Sequence, residues 1–272
     1  MLVRIFEEEG LGLDVVSGGE LHIAKSAGFP LEKVFFHGNN KSEAELRLAL
    51  GSGIGRIVVD NFHELEMLDR AARRMGIRQK ILLRLSPGID PHTHAKTTTG
   101  IVDSKFGFLM HTGQAAQAVR QALAAPGLEL VGLHIHLGSP IFETEPYREG
   151  VETVLRFAAQ MQAEHRFEMR EFSPGGGFAI AYLRTKPAPP VSAYAEAITG
   201  TLKERASALG LAAPKLIIEP GRSIVGRAGV ALYRVGARKE IPGIRTYVSV
   251  DGGMSDNIRP ALYGARYAAL AV

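Results

Sequence analysis

Four groups of polar residues and glycine have the types and spacing to do chemistry in this 272-residue chain. In Glu219-Pro220-Gly221-Arg222 a carboxylate stands three residues before a guanidinium. The planar fork of Arg222 matches a phosphate or a substrate carboxylate. An internal salt bridge between the two is the competing explanation. Gly175-Gly176-Gly177 precedes the apolar residues 178–182, and residues without Cβ let backbone N–H groups approach an anion closely. A tight turn also demands glycine, and short glycine runs are weak signals. In His134-Ile135-His136-Leu137-Gly138-Ser139 the two histidines share one face of a strand, where they could ligate zinc, as could His92 and His94. The sequence has no cysteine and no HExxH, and the carboxylates near these histidines lack ligand spacing, so no metal is expected. A core histidine satisfied by hydrogen bonds is the competing reading of His136. The polar, glycine-rich segment 251–263 sets Arg259 and Tyr263 four apart, so that one helical turn would bring both to one side, able to hold a carboxylate.

Three of these groups, together with Ser17-Gly18-Gly19-Glu20 and His37-Gly38-Asn39-Asn40-Lys41, follow short β-branched runs. The runs are residues 13–16, 34–37, 56–59, 80–86, 129–137, 169–173 and 215–218. Five of the seven end in a polar cluster, and the ends of parallel strands are where a barrel builds its active site. Between the runs, residues 42–51, 62–75, 112–124, 147–164 and 191–209 place apolar side chains at i, i+3, i+4 and i+7, as helices packed on a sheet require. Repeated βα units predict a parallel sheet. Strands that read as continuous apolar runs are covered on both faces, which suits a (β/α)8 TIM-type barrel or a doubly wound sheet.

Seven units is one short of a closed barrel, and the chain opens with a helical segment at residues 2–9 stopped by Gly10. The missing first strand is expected before Met1. After Gly226 the pattern changes: residues 229–236 and 245–250 read as strands joined by a turn at Pro242 and Gly243, with no helix between. The expected organisation is a barrel over residues 1–228, lacking its first strand, and the start of an all-β domain over 229–272. Residues 186–190 form a proline-rich surface loop.

Composition narrows the functional classes. With 46% hydrophobic and 22% charged residues the chain can bury a full core. No apolar run reaches the roughly 18 to 20 residues that cross a bilayer, and the acidic start is unlike a secretory signal. A cytoplasmic protein is expected. The net charge of +4 is interleaved along the chain, not gathered into a basic block, so nucleic acid binding is not expected.

Taken together and in order, DVVSGGEL, HGNNKS, HIHLGS, SPGGGFAIAY, EPGRSIVG and VDGGMSDNIRPALYGARY closely resemble the fold-type III pyridoxal-phosphate decarboxylases, and the diaminopimelate decarboxylases among them. The resemblance spans essentially the whole chain. It implies that His136 stacks on the cofactor ring, that Ser139, Gly175, Gly176 and Gly177 hold the phosphate, that Gly221 also binds the cofactor, and that Glu219 pairs with the pyridine nitrogen. Arg222 would reach the phosphate or the substrate. Arg259 and Tyr263 would bind a substrate carboxylate, on a loop facing the barrel mouth, often that of a partner subunit in a homodimer. Lys105-Phe106-Gly107 also matches the family and is read as structural.

The implied chemistry is coherent. Loss of CO2 from an amino acid leaves a carbanion at Cα, which the cofactor absorbs while its ring nitrogen stays protonated, and a carboxylate beside that nitrogen favours the cationic form. Two family parts are expected outside residues 1–272: the cofactor lysine, in a segment resembling YAxKAN before Met1, and a Cys-Glu-Ser-Gly-Asp motif with a late tyrosine beyond Val272. The chain alone is therefore expected to have little decarboxylase activity. The implied reaction converts meso-2,6-diaminopimelate to L-lysine and CO2. The alternatives are a related decarboxylase acting on ornithine, arginine or carboxynorspermidine, or a non-catalytic homologue that regulates a partner enzyme.

Overall fold

The structure, a computed structural model, describes residues 1–90, 99–101, 103–183 and 185–271. Strands β1 (Leu13–Val15), β2 (Val34–Phe36), β3 (Arg56–Val59), β4 (Gln79–Ser86), β6 (Leu128–Ile135), β7 (Glu171–Ser173) and β8 (Lys215–Leu216) pair in parallel, in that order. A two-residue strand, β5 (Phe108–Leu109), also pairs with the end of β4. Helices α2 (Gly18–Ser26), α3 (Glu43–Ser52), α4 (Phe62–Arg74), α5 (Gln114–Ala124), α6 (Glu145–His165) and α7 (Val191–Ala208) alternate with the strands, after the opening helix α1 (Leu2–Glu8). Among the described residues β1 pairs only with β2 and β8 only with β7, so the ring is open between them. No helix among them is long and apolar enough to cross a membrane.

Side-chain contacts show that the sheet is curled. His37 at the end of β2 lies 3.9 Å from Glu219, just past β8. In a flat sheet the five strand steps between β2 and β8 would cover about 24 Å. Arg56 on β3 likewise reaches across to Glu171 on β7, with paired contacts of 2.9 and 2.5 Å. The outer face carries Phe36, Ile57, Leu83, Leu133 and Phe172, all buried in one large apolar cluster with the helices. The inner face is different. A small cluster of Phe35, Val58, Leu82 and Val131 fills the middle. The Arg56–Glu171 pair lies toward the strand starts, and His37, Asp60, Arg84, His134 and Ser173 follow at the strand ends. The sequence reading of strands without a polar face thus holds for the middle of the sheet and fails at both ends, where alternation turns polar side chains inward.

Helix starts explain part of the strand-end clusters. Ser17 Oγ accepts the Glu20 N–H at 3.2 Å, while Glu20 accepts the Val16 N–H at 2.7 Å, so Ser17-Gly18-Gly19-Glu20 is the N-terminal cap of α2. On α3 Ser42 Oγ accepts the Glu45 N–H and Glu45 accepts the Ser42 N–H, a reciprocal capping box, and Asn61 caps α4. These residues place each helix directly after its strand.

The C-terminal part departs from expectation in register. The anticipated strand at 229–236 is displaced: β9 is Val235–Ile241, paired antiparallel with β10 (Arg245–Val250). The turn sets the pairing, Ile241 opposite Arg245 and Lys239 opposite Tyr247, and so draws charged residues into the strand while Val230 and Leu232 stay outside it. Helices α8 (Gly221–Val225) and α9 (Arg259–Tyr263) flank this hairpin. His92 and His94 lie outside the described residues.

Candidate active site

Glu219 stands at the centre of the strand-end edge. Its N–H donates to Gly175 O at 3.1 Å, which continues the parallel pairing past β8 and fixes the backbone. Ser173 Oγ donates to Oε1 at 2.8 Å, and the Gly175 N–H donates to the same hydroxyl at 3.1 Å. His134 Nε2 lies 3.0 Å from Oε1, in close contact but off the line of a well-formed hydrogen bond. His37 Nε2 is 3.9 Å from the same oxygen and 3.5 Å from Asp14. The donor atoms of His37, His134 and Glu219 all lie within 4.8 Å of one another, a grouping that one carboxylate between two imidazoles accounts for.

The electrostatics follow from burial and charge. Burial pushes the Glu219 carboxyl up, but His134 and His37 pull it down more strongly, leaving it well below the usual carboxylate range. For His37 burial acts downward, and Glu219 with Asp14 outweighs it, so its pKa is raised. For His134 burial prevails over Glu219, and its pKa is lowered. His37 is therefore the imidazole more ready to carry the balancing proton.

The glycine turn packs backbone against backbone. A Cβ on Gly176 would sit 1.9 Å from Glu219 O, and one on Gly177 2.0 Å from Gly138 O, so glycine is required there by the neighbouring strand ends alone. Gly175 and Gly177 also hold φ of +80° and +89°. Tyr147 Oη donates to Gly176 O at 2.7 Å, and Tyr194 Oη donates to Ile141 O at 2.7 Å, bracing the turn from below. His136 Nδ1 accepts the Gly176 N–H at 3.3 Å, which sets its ring plane. Burial lowers His136 to about 4, so it is neutral at pH 7. The two histidines of the zinc alternative thus serve separate partners, His134 facing Glu219 and His136 the glycine turn. Because the N–H groups of Gly175 and Gly176 already have acceptors, a phosphate contact to either would have to displace one.

Arg222 does not pair with Glu219. Its Nε donates to Ser139 Oγ at 3.2 Å and its Nη1 donates to Tyr182 Oη. Among the described residues no carboxylate forms an ion pair with it. A guanidinium held by two neutral hydroxyls beside a glycine turn keeps its charge available for an anion. Gly221, one residue before it, opens α8, and its N–H donates to Glu219 O at 3.0 Å. Arg259 and Tyr263 share one turn of α9, with the guanidinium 5.1 Å from the Tyr263 ring centroid. Arg259 Nε also donates to Tyr267 Oη at 3.1 Å, and the Tyr267 ring meets Tyr182 edge-on at 5.7 Å. The two expected substrate residues are thereby tied to the Arg222 group within one chain.

Several participants were not singled out in the sequence. Ser173 and Tyr182 lie in the strand-end segments as ordinary hydroxyls, and His37 stood in a noted cluster without a role. The alternation along β2, which puts His37 on the same face as Phe35, is the signal that could have found it. Lys41, in that cluster, is committed elsewhere: its ammonium donates to Gly38 O, Val58 O and Glu64 Oε1 at 2.7 to 2.8 Å. Phe106 lies 4.2 Å beneath the Arg84 guanidinium, next to β5, which is a structural use of that segment.

Pyridoxal phosphate has an anion, a flat ring and a ring nitrogen, and the residues present fit each: Arg222, Ser139 and Tyr182 would suit the anion, His136 the ring and the Glu219 carboxylate the nitrogen. Residues 1–226 match the family model for the pyridoxal binding domain of pyridoxal-dependent decarboxylases. The chain is 48% identical over 270 residues to a diaminopimelate decarboxylase of Bacillus subtilis, covering 99% of this chain and 62% of the relative. Among solved structures it is similar to diaminopimelate decarboxylase from M. jannaschii in complex with L-lysine, at a TM-score of 0.90 and 35% identity, covering 98% of this chain and 61% of that one. The Helicobacter pylori enzyme complexed with L-lysine gives a TM-score of 0.89 at 32% identity, covering 98% and 64%. The chain thus spans a little over three fifths of these proteins. With a match over 226 residues and a donor set that fits the cofactor, the chain belongs to the pyridoxal-dependent decarboxylases.

Proposed function

We propose that the protein acts in the pyridoxal-phosphate-dependent decarboxylation of meso-2,6-diaminopimelate to L-lysine, as the curated relatives' name implies. The observation that carries the reading is the Glu219 carboxylate, held below its usual range at the mouth of the barrel beside His136 and the Arg222–Ser139 pair. When bound, the cofactor supplies the electron sink for the pair left at Cα as CO2 departs. The chain's own residues do the rest. Glu219 accepts a hydrogen bond from the ring N–H, and its negative charge holds the proton at that nitrogen. His136, neutral and oriented by Gly176, covers the ring face. Arg222 and Ser139 bind the phosphate, remote from the reacting carbon, and so orient the scissile bond. Arg259 and Tyr263 take the distal carboxylate, which distinguishes this substrate from ornithine or arginine. A homodimer in the cytoplasm, with sites completed across the interface, belongs to the same reading.

The test is CO2 release from meso-diaminopimelate, ornithine and arginine by the protein completed with the segments expected before Met1 and beyond Val272, since this chain alone is expected to have little activity, together with pyridoxal phosphate binding by this chain, read by absorption. Turnover of diaminopimelate at least tenfold above the other two is expected. Preference for ornithine or arginine would reassign the substrate. Failure to bind the cofactor would favour the non-catalytic reading.

A further inference from the structure

We propose that His37 and His134 are positioning residues for Glu219, gripping one carboxylate oxygen, Oε1, from two sides so that Oε2 is the oxygen presented to the ring nitrogen of the cofactor. The inference rests on the proposed function, in which Glu219 meets that nitrogen, and goes beyond it by assigning two residues that do not touch the cofactor.

The geometry carries the argument. Ser173 Oγ at 2.8 Å, His134 Nε2 at 3.0 Å and His37 Nε2 at 3.9 Å all approach Oε1. The two imidazoles meet edge to face, with centroids 5.1 Å apart, so each limits the rotation of the other. Asp14 approaches the same His37 nitrogen, Nε2, at 3.5 Å, so this imidazole is held between the two carboxylates. Both rings are almost wholly buried, while the Glu219 side chain retains 15% exposure, so the carboxylate is the member of the group that reaches the mouth. The groups facing this cluster from the packed elements are Asp14 on β1, His37 after β2, Arg84 on β4, His134 on β6, His136 after β6 and Ser173 on β7. Of these, His134 and His37 act most strongly to keep the carboxylate charged against its burial.

This arrangement answers a physical problem. A carboxylate buried without partners would take up a proton, and a neutral acid could not hold a proton on the ring nitrogen. A lysine or arginine in contact would keep it charged but would compete for both oxygens with a permanent cation. Imidazoles favour the charged carboxylate without that competition, because each presents a single nitrogen and both nitrogens approach the same oxygen.

The experiment compares the protein with His134→Leu, His134→Gln, His37→Asn and Glu219→Gln, each confirmed folded by circular dichroism. Two quantities are read: the Kd for pyridoxal phosphate, and the 13C carboxyl titration of Glu219 in the protein without cofactor. His134→Leu is expected to weaken cofactor binding about tenfold, through loss of the carboxylate's placement, and separately to move the Glu219 titration upward by about one pH unit. His134→Gln, which keeps an amide donor, restores most of both, and His37→Asn gives a smaller change in the same direction. If His134→Leu does not fold, the Gln and Asn variants carry the test through the carboxyl titration. Glu219→Gln separates the two levels of the argument. If it leaves the Kd unchanged, Glu219 does not face the ring and the proposed function fails at that residue. If it weakens binding while the histidine variants shift neither the Kd nor the carboxyl titration, the positioning role is overturned and the proposed function stands.

Discussion

The barrel wall and the hairpin of β9 and β10 are both built from β-prone residues, yet they stand in opposite relations to solvent. Along β3, β4, β6 and β7 nearly every residue is buried, whereas every residue of β9 and β10 except Ile241 is exposed. Val235, Tyr247, Val248 and Val250 lie open on the hairpin, while Ile57, Leu83, Leu133 and Phe172 lie under helices. The hairpin shows what a local turn and ladder alone can specify, namely a register. The wall shows what covering adds: a core, and a rigid edge on which polar groups can be buried at fixed distances. Only the second can hold a carboxylate and two imidazoles in one place, because a buried polar cluster needs neighbours that do not yield.

The contrast breaks most visibly if the cover is removed. Phe172 is fully buried between the sheet and its helices, and it sits between the Glu171 and Ser173 that face the barrel interior. Phe172→Ala is expected to cost about 4 kcal/mol, the transfer and cavity terms together, measured as a shift in the urea midpoint. Because β7 positions Ser173, the same variant should weaken cofactor binding. A loss below about 1 kcal/mol would mean that the wall is packed no better than the hairpin.

A second test uses the polar side of the wall. Burial is the main cause that holds His136 at about 4, against an ordinary 6.5. The unfolded chain therefore binds a proton in this window that the folded chain refuses. The sign is that stability is full above pH 6.5, falls as the pH drops toward 4, and levels off below it. Up to about 3 kcal/mol can be lost in this way. His37 acts in the opposite sense, since its raised pKa contributes stability below pH 6.5 that is lost as pH rises through the folded value. The His136 share is isolated by the stability difference between wild type and His136→Gln, which should move against the wild type between pH 7 and 4.5. A difference independent of pH would show that the imidazole is not buried as described.

The sequence made the wall legible because parallel βα units write their period directly. All five of the helices expected between strands and all seven barrel strands are present, with ends displaced by a few residues. It was less informative where one residue type serves two ends. Ser17 and Glu20 looked like site residues and are a helix cap. The glycine turn could be a phosphate cradle or a packing necessity, and the close approach of Gly176 to Glu219 shows that packing alone requires it. Arg222 and Glu219, three apart, invited a salt bridge, but the turn of α8 sends the guanidinium to Ser139 and Tyr182 and leaves the carboxylate to the histidines. Such pairings depend on which strands curl to meet, and no local pattern records that. The resemblance to a family supplied the roles of His136, Glu219 and Arg222, and it offered nothing for His37, Ser173 or Tyr182.

The smallest effect is the one that most sharpens the comparison. Tyr247 lies on β10 opposite Lys239, half exposed, with the Arg245 guanidinium 6.0 Å from its ring centroid. With no helix or second sheet among the described residues over it, Tyr247→Ala removes one cross-strand contact and little buried surface, so the expected cost is within about 0.5 kcal/mol. Limited proteolysis should cut within residues 229–250 well before any site in the wall, because strand pairs without a covered face open readily. A cost near that of Phe172→Ala, or protection from protease, would show that this face is covered in solution. The hairpin face that carries Tyr247 would then be one half of a packed layer, and the two regions would differ in what covers them and not in whether they are covered.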